Sequence, residues 1–174
     1  MRHPACVDLP AAEGYHQLKR RNPSLLECVM TNLDSTAIAN RNRSSYLKAK
    51  DAFNQKDIDL CVSFYSLDHQ IMSRPSPKGR QAIQTFFEES HQTWPDIQIV
   101  VEHIVAEGSW VMGRSVTTAT HTKALMGVMP THKQIETTFW DLHRFNEDGL
   151  IVETWNLMDA LAIMSQLGIL PAPK

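Results

Sequence analysis

The side chains of this chain that could carry chemistry are eight histidines and a set of carboxylates, and their spacing sorts them. A metal held by one element needs pairs such as H-x-H or H-x-x-x-H. The histidines fall at distant positions such as His121, His132 and His143, so no metal site is expected. The chain has no G-x-S-x-G elbow, no phosphate-binding loop and no dinucleotide fingerprint. Asp141 stands out by its neighbours. If its segment is a strand, Phe139, Asp141, His143 and Phe145 share one face, and Trp140, Leu142 and Arg144 share the other. A carboxylate enclosed by apolar walls has a raised pKa and can act as general acid or base. The competing expectation is an ion pair of Asp141 with Arg114 or Arg144.

The elements that position these groups follow from hydrophobic period. Ala37, Ala39, Tyr46, Leu47, Ala49 and Phe53 recur at helical spacing, which predicts a long helix ending near Asn54. A second helix is predicted from about Asp57 to Tyr65, with Asp57 as its cap. Asp68 to Met72 reads as a short strand. Arg74 to Gly79 reads as a loop, and Arg80 to Trp94 as a third helix ended by Pro95. After Pro95 the period becomes two. Ile97, Ile99, Val101, His103 and Val105 are expected on one strand face. Trp110 to Thr122, Lys133 to Asn146 and Leu150 to Asn156 are further strands, the last two joined by a Glu147-Asp148-Gly149 turn. A short helix from Met158 to Leu167 closes the chain and stops at Gly168. Helices first and an antiparallel meander after them define an α+β protein. Residues 1–35 read as a loosely ordered extension, with one short helix around Leu25 to Leu33, and residues 36–174 as one domain.

Composition limits the functional classes. Net charge is -2, with no basic stripe, so nucleic acid is not an expected partner. No apolar run reaches the length of a membrane span. The N-terminus lacks the apolar core of a secretory signal, and Cys6, Cys28 and Cys61 give no disulfide pattern, so a reducing cytoplasm is the expected setting.

Three passages carry a resemblance. They are GSWVMGRSVTTATHTKALMG (Gly108 to Gly127), PTHK (Pro130 to Lys133) and TFWDLHRFNEDGLIVETWNLMDALAIMSQLG (Thr138 to Gly168). Together they resemble the SnoaL-like polyketide cyclases, or ester cyclases, of the nuclear-transport-factor-two-like superfamily, over roughly Lys48 to Leu170. The resemblance implies a cone-shaped, curved antiparallel sheet of about four main strands and a short one, wrapped by helices around a pocket. It implies ring closure by intramolecular aldol chemistry on a small hydrophobic carbonyl compound, with a buried carboxylate, no metal and no organic cofactor. A homodimer through the opposite sheet face is implied as well.

One departure matters. The family's catalytic aspartate sits in a motif like E-H-W-D, and here that stretch is Glu153-Thr154-Trp155-Asn156. An amide cannot take a proton at neutral pH. Asp141, whose position lines the pocket beside that of Asn156 in the family, is therefore expected as base, with Asn156 holding an enolate oxygen. His121 could polarise a carbonyl, or hold the loop from Thr120 to Lys123. His69, Phe139, His143, Trp110, Met112 and Met126 are expected around the substrate. Asp159 either enters the pocket or caps the last helix. Two other functions compete: a binding protein without the catalytic acid, and an epoxide-opening enzyme built on Asp141 and Arg114.

Overall fold

The computed structural model describes residues 23–124 and 127–169, and the chain divides into two compact units, Met1–Ala37 and Ile38–Lys174. In chain order the elements are α1 (Pro23–Asn54), α2 (Ile58–Ser63), β1 (Tyr65–Ile71), α3 (Arg80–Thr93), β2 (Gln98–Glu107), β3 (Trp110–Thr120), β4 (Gln134–Phe145), β5 (Ile151–Met158) and α4 (Ala160–Leu167). The helix expected around Leu25 to Leu33 and the one expected to end near Asn54 are a single element, α1.

The sheet is curved and open, in the order β1-β5-β4-β3-β2. β2 to β5 form the expected antiparallel meander, but β1 joins β5 in parallel, so the sheet is mixed and does not close into a barrel. The expected alternation along β2 holds only as far as Val101. A bulge between Val101 and His103 shifts the register by one residue. Beyond it, Ile104 and Ala106 pack on the core, while His103 and Val105 face outward.

Local chemistry fixes the ends of the elements. Asp57 accepts from the Leu60 amide at 3.0 Å and Asp159 from the Ala162 amide at 2.9 Å, so each caps the helix after it. Gly168 ends α4 at φ 76°, where a side chain would be strained. Gly149 takes φ 79° in the β4–β5 turn.

Within the second unit, Ala39, Asn42, Tyr46, Ala49 and Phe53 form the buried stripe of α1. Asn54 ends that helix with its amide pairing both backbone groups of Ile99, at 2.8 and 2.9 Å, which ties α1 to the edge strand β2. The larger core cluster joins Tyr46, Phe53, Tyr65, Ile83, Phe87, Val111, Phe145 and Ile151.

Candidate active site

A cavity of about 380 Å³ lies between the inner face of the sheet and helices α1 to α3. Its walls are apolar and aromatic, with Phe53, Phe86, Phe87, Trp94, Ile97 and Phe139 among them. Among the described residues, three charged side chains line it: Lys50, Arg74 and Asp141.

Asp141 is the centre of the polar groups. Strand parity sends it inward with Phe139, His143 and Phe145, as expected. Its side chain is fully buried. Oδ1 accepts from the Tyr46 hydroxyl at 2.8 Å, and Oδ2 accepts from Lys50 Nζ in an ion pair and from His143 Nε2 at 3.2 Å. Tyr46 and Lys50 are four residues apart on α1, so one helix face delivers both donors. Gly113 lies opposite Asp141 on β3, and its missing side chain makes room for Tyr46.

The chain of hydrogen bonds continues behind Asp141. His143 Nδ1 lies 2.8 Å from Thr154 Oγ1, which lies 2.9 Å from His69 Nε2. A threonine hydroxyl has one proton to give. With His143 Nε2–H donating to the carboxylate, Thr154 donates to His143 Nδ1 and His69 Nε2–H donates to Thr154. This arrangement satisfies each of these bonds. Burial, and next the neighbouring His143, push the His69 pKa down to about 4, so His69 is neutral at physiological pH.

The electrostatics differ from the expectation of a raised Asp141 pKa. Burial on its own pushes the carboxyl up. The Lys50 ammonium, and after it His143, more than offset this and hold it well below the usual carboxylate range. Neither expected arginine is the partner. Arg114 pairs with Glu102, and Arg144 pairs with Glu153 at 2.6 and 2.7 Å. The epoxide-opening reading loses its starting pair with that assignment. Cys61 also lines the cavity, but burial pushes its thiol up to about 12, so it stays protonated.

The remaining expected residues divide between this cavity and other places. Asn156 pairs in register with Asp141 and lines the cavity, and its amide has no hydrogen-bond partner among the described residues. Phe139 and His143 line the cavity too, and His69 sits behind Thr154. Trp110 and Met112 do not reach it, because β3 parity turns both outward onto the other sheet face. His121 is fully buried but stands apart from Asp141. Its Nδ1 accepts from the Thr131 amide at 3.2 Å and its backbone bonds to Lys133 and His132, so it holds the loop after β3. Asp159 is a helix cap, exposed, and absent from the cavity wall. Met126 lies outside the described residues.

Tyr46, Lys50 and Thr154 were not singled out from sequence as site residues. Lys50 did leave a trace there: it is a cation four residues after Tyr46 within the apolar stripe of α1. Among the described residues no three His, Cys, Asp or Glu side chains converge as a metal cluster, and no helix is long and apolar enough to cross a membrane.

The sequence profile of the family described as SnoaL-like polyketide cyclase matches residues 44–167. The chain belongs to that family. Solved structures agree with the assignment. AclR from Streptomyces galilaeus, described as a candidate hydroxylase, is 27% identical with a TM-score of 0.68, and the match covers 76% of this chain and 99% of that one. IdmH from Streptomyces antibioticus, described as a candidate polyketide cyclase, is also 27% identical, with a TM-score of 0.65 and coverage of 73% and 98%. A candidate SnoaL-like polyketide cyclase from Jannaschia, 19% identical with a TM-score of 0.68 over 77% and 96%, shares the fold. No curated protein matches the sequence. The cavity between helices and sheet is the candidate site in this fold. A lysine–aspartate pair lines it, with the Asn156 amide in register beside Asp141.

Proposed function

We propose that the chain is a cyclase or isomerase that acts on a small hydrophobic 1,3-dicarbonyl compound by proton transfer, with Asp141 as base and no cofactor. The observation that carries this reading is the state of the Asp141 carboxylate. It is buried at an apolar cavity and bonded by three donors, and the Lys50 ammonium beside it favours its charged form. A carboxylate offers about four lone-pair sites, so one remains open on Oδ1, where among the described residues only Tyr46 donates.

A carboxylate held below its ordinary pKa is a weak base. It can deprotonate carbon only where the C–H is already acidic, as in a CH₂ between two carbonyls. Asp141 takes that proton, and the C–H electrons move onto a carbonyl oxygen. The Asn156 amide, and the cavity-lining Thr117 hydroxyl, which is buried and has no partner among the described residues, are the donors for that oxygen. Once Asp141 is protonated, the Lys50 ammonium is left facing the enolate. The negative charge thus moves from protein to substrate while its counterion stays in place. The enolate carbon then attacks a third, more distant carbonyl of the same molecule, a C–C bond forms as that C=O π bond opens, and the new alkoxide takes its proton back from Asp141.

Proton abstraction can be read without knowing the natural substrate. With 1-phenylbutane-1,3-dione in D₂O, the wild type should exchange the central CH₂ protons faster than buffer. Asp141→Asn should lose roughly a hundredfold or more of that rate while still binding the compound. If the wild type exchanges no faster than buffer, or Asp141→Asn exchanges as fast as the wild type, the cavity belongs to a binding protein instead.

A homodimer is part of this reading. Trp110, Met112, Trp140 and Leu157 lie exposed on the outer sheet face, an apolar surface suited to a second copy. Light scattering that gives the monomer mass at micromolar concentration would remove this element.

A further inference from the structure

The charges on the cavity wall do not balance. Lys50 and Asp141 neutralise one another in a buried pair. Arg74, the third charged group, makes no ion pair or hydrogen bond among the described residues. It sits in the loop before α3, exposed, with its guanidinium 4.5 Å from the centre of the Phe86 ring. Phe86 belongs to the cavity wall, so the arginine is held by stacking at the rim rather than left free in solvent. A guanidinium over a ring keeps five N–H donors for another ligand, and Arg74 itself lines the cavity. The fork of those donors matches the two oxygens of a carboxylate.

We propose that Arg74, oriented by Phe86, is a specificity-determining residue that binds a carboxylate on the substrate, so that the preferred ligand is an aromatic or polyketide-like acid rather than its neutral ester. The proposal rests on the cavity being the substrate site, as in the proposed function, and adds the chemical class of what enters it. The apolar body fills the aromatic walls. The carboxylate stays at the wet rim, where it keeps part of its hydration and does not have to compete with Asp141 for Lys50.

The test is a binding measurement on the full chain that needs no turnover, so it fails separately from the exchange assay. Titration calorimetry with 2-naphthoate and methyl 2-naphthoate should show the acid binding about tenfold more tightly, a preference expected of one charge-assisted contact. Arg74→Gln should abolish the preference and leave the ester's affinity unchanged. Arg74→Lys should keep only part of it, because an ammonium lacks the fork. Higher salt should shrink it, because the rim is exposed. The proposal is overturned if the acid does not bind, if acid and ester bind equally, or if Arg74→Gln weakens both alike or leaves the preference intact. An Arg74-dependent preference for 2-naphthyl phosphate over 2-naphthoate overturns the carboxylate assignment in favour of a phosphate-bearing ligand.

Discussion

The Tyr46 hydroxyl occupies the place that a side chain on residue 113 would take. A methyl group built at Gly113 would overlap that hydroxyl, and would stand 2.6 Å from Tyr46 Cζ and 3.0 Å from Asp141 Oδ1. The glycine is there for close approach, since its backbone has no unusual φ.

Gly113→Ala should therefore destabilise the fold by about 1–3 kcal/mol, the usual range for overpacking a core. Tyr46→Phe in the Gly113→Ala background should recover part of the loss, because it removes the overlapping oxygen. Denaturant titration of the two single variants and the double variant gives the coupling. Additive losses would mean that alanine acts somewhere other than at Tyr46.

Asp141→Asn leaves the Lys50 ammonium without its counterion at an apolar wall. The expected loss is about 3 kcal/mol, the low end for breaking a buried pair, since Lys50 keeps some contact with solvent. Lys50→Met combined with Asp141→Asn should be more stable than Asp141→Asn alone. Unfolding midpoints with unchanged m-values check this.

The stability of the protein should fall from neutral pH toward pH 4, with His69 as one cause. Its native pKa of about 4 lies below the ordinary value of 6.5. Between those values the unfolded chain binds a proton that the native state refuses. The His69 contribution is thus complete above about pH 6.5 and lost as pH falls through 4, up to about 3 kcal/mol. Asp141 acts in the same direction at lower pH: its stabilisation is present above the ordinary aspartate range and is lost as pH falls through its lowered native value. In His69→Gln, which keeps a donor to Thr154, the curve between pH 6.5 and 4 should be flatter. Chemical denaturation at several pH values measures the slope.

Asn156→Asp would place a second carboxylate beside Asp141 in register. It would add a carboxylate but remove the amide donor. On the proposed mechanism the exchange rate with the 1,3-diketone should fall by roughly a hundredfold at neutral pH, the usual loss for one oxyanion donor. A faster variant would show that residue 156 is the base position after all and that Asp141 is structural.

The parts of this molecule legible in the sequence were those set by local period and local chemistry. Asp57 and Asp159 as caps, Gly149 at the hairpin and Gly168 after the last helix all follow from the backbone needs of one turn. Strand parity put Asp141 and His143 on one inward face, and the motif alignment set Asn156 beside Asp141. What could not be read depended on distant partners. The Val101/His103 bulge has no local signal and reverses the second half of β2. Trp110 and Met112 suited an apolar pocket by type, yet β3 parity turns them outward. The raised pKa expected for Asp141 assumed apolar walls alone. It failed because Lys50 arrives from a helix that the strand pattern says nothing about.

The bonds from Asp141 to Lys50 and Tyr46 span 91 and 95 residues. Contacts of that separation form only after the intervening chain has closed its loop. During synthesis, α1 emerges long before β4, so Lys50 meets its counterion only after more than half of the domain has left the ribosome. Until then its charge is satisfied by water alone, and docking that helix face early would bury an unpaired cation. The pair thus disfavours docking of that helix face before β4 is in place, since earlier docking would leave the cation unpaired.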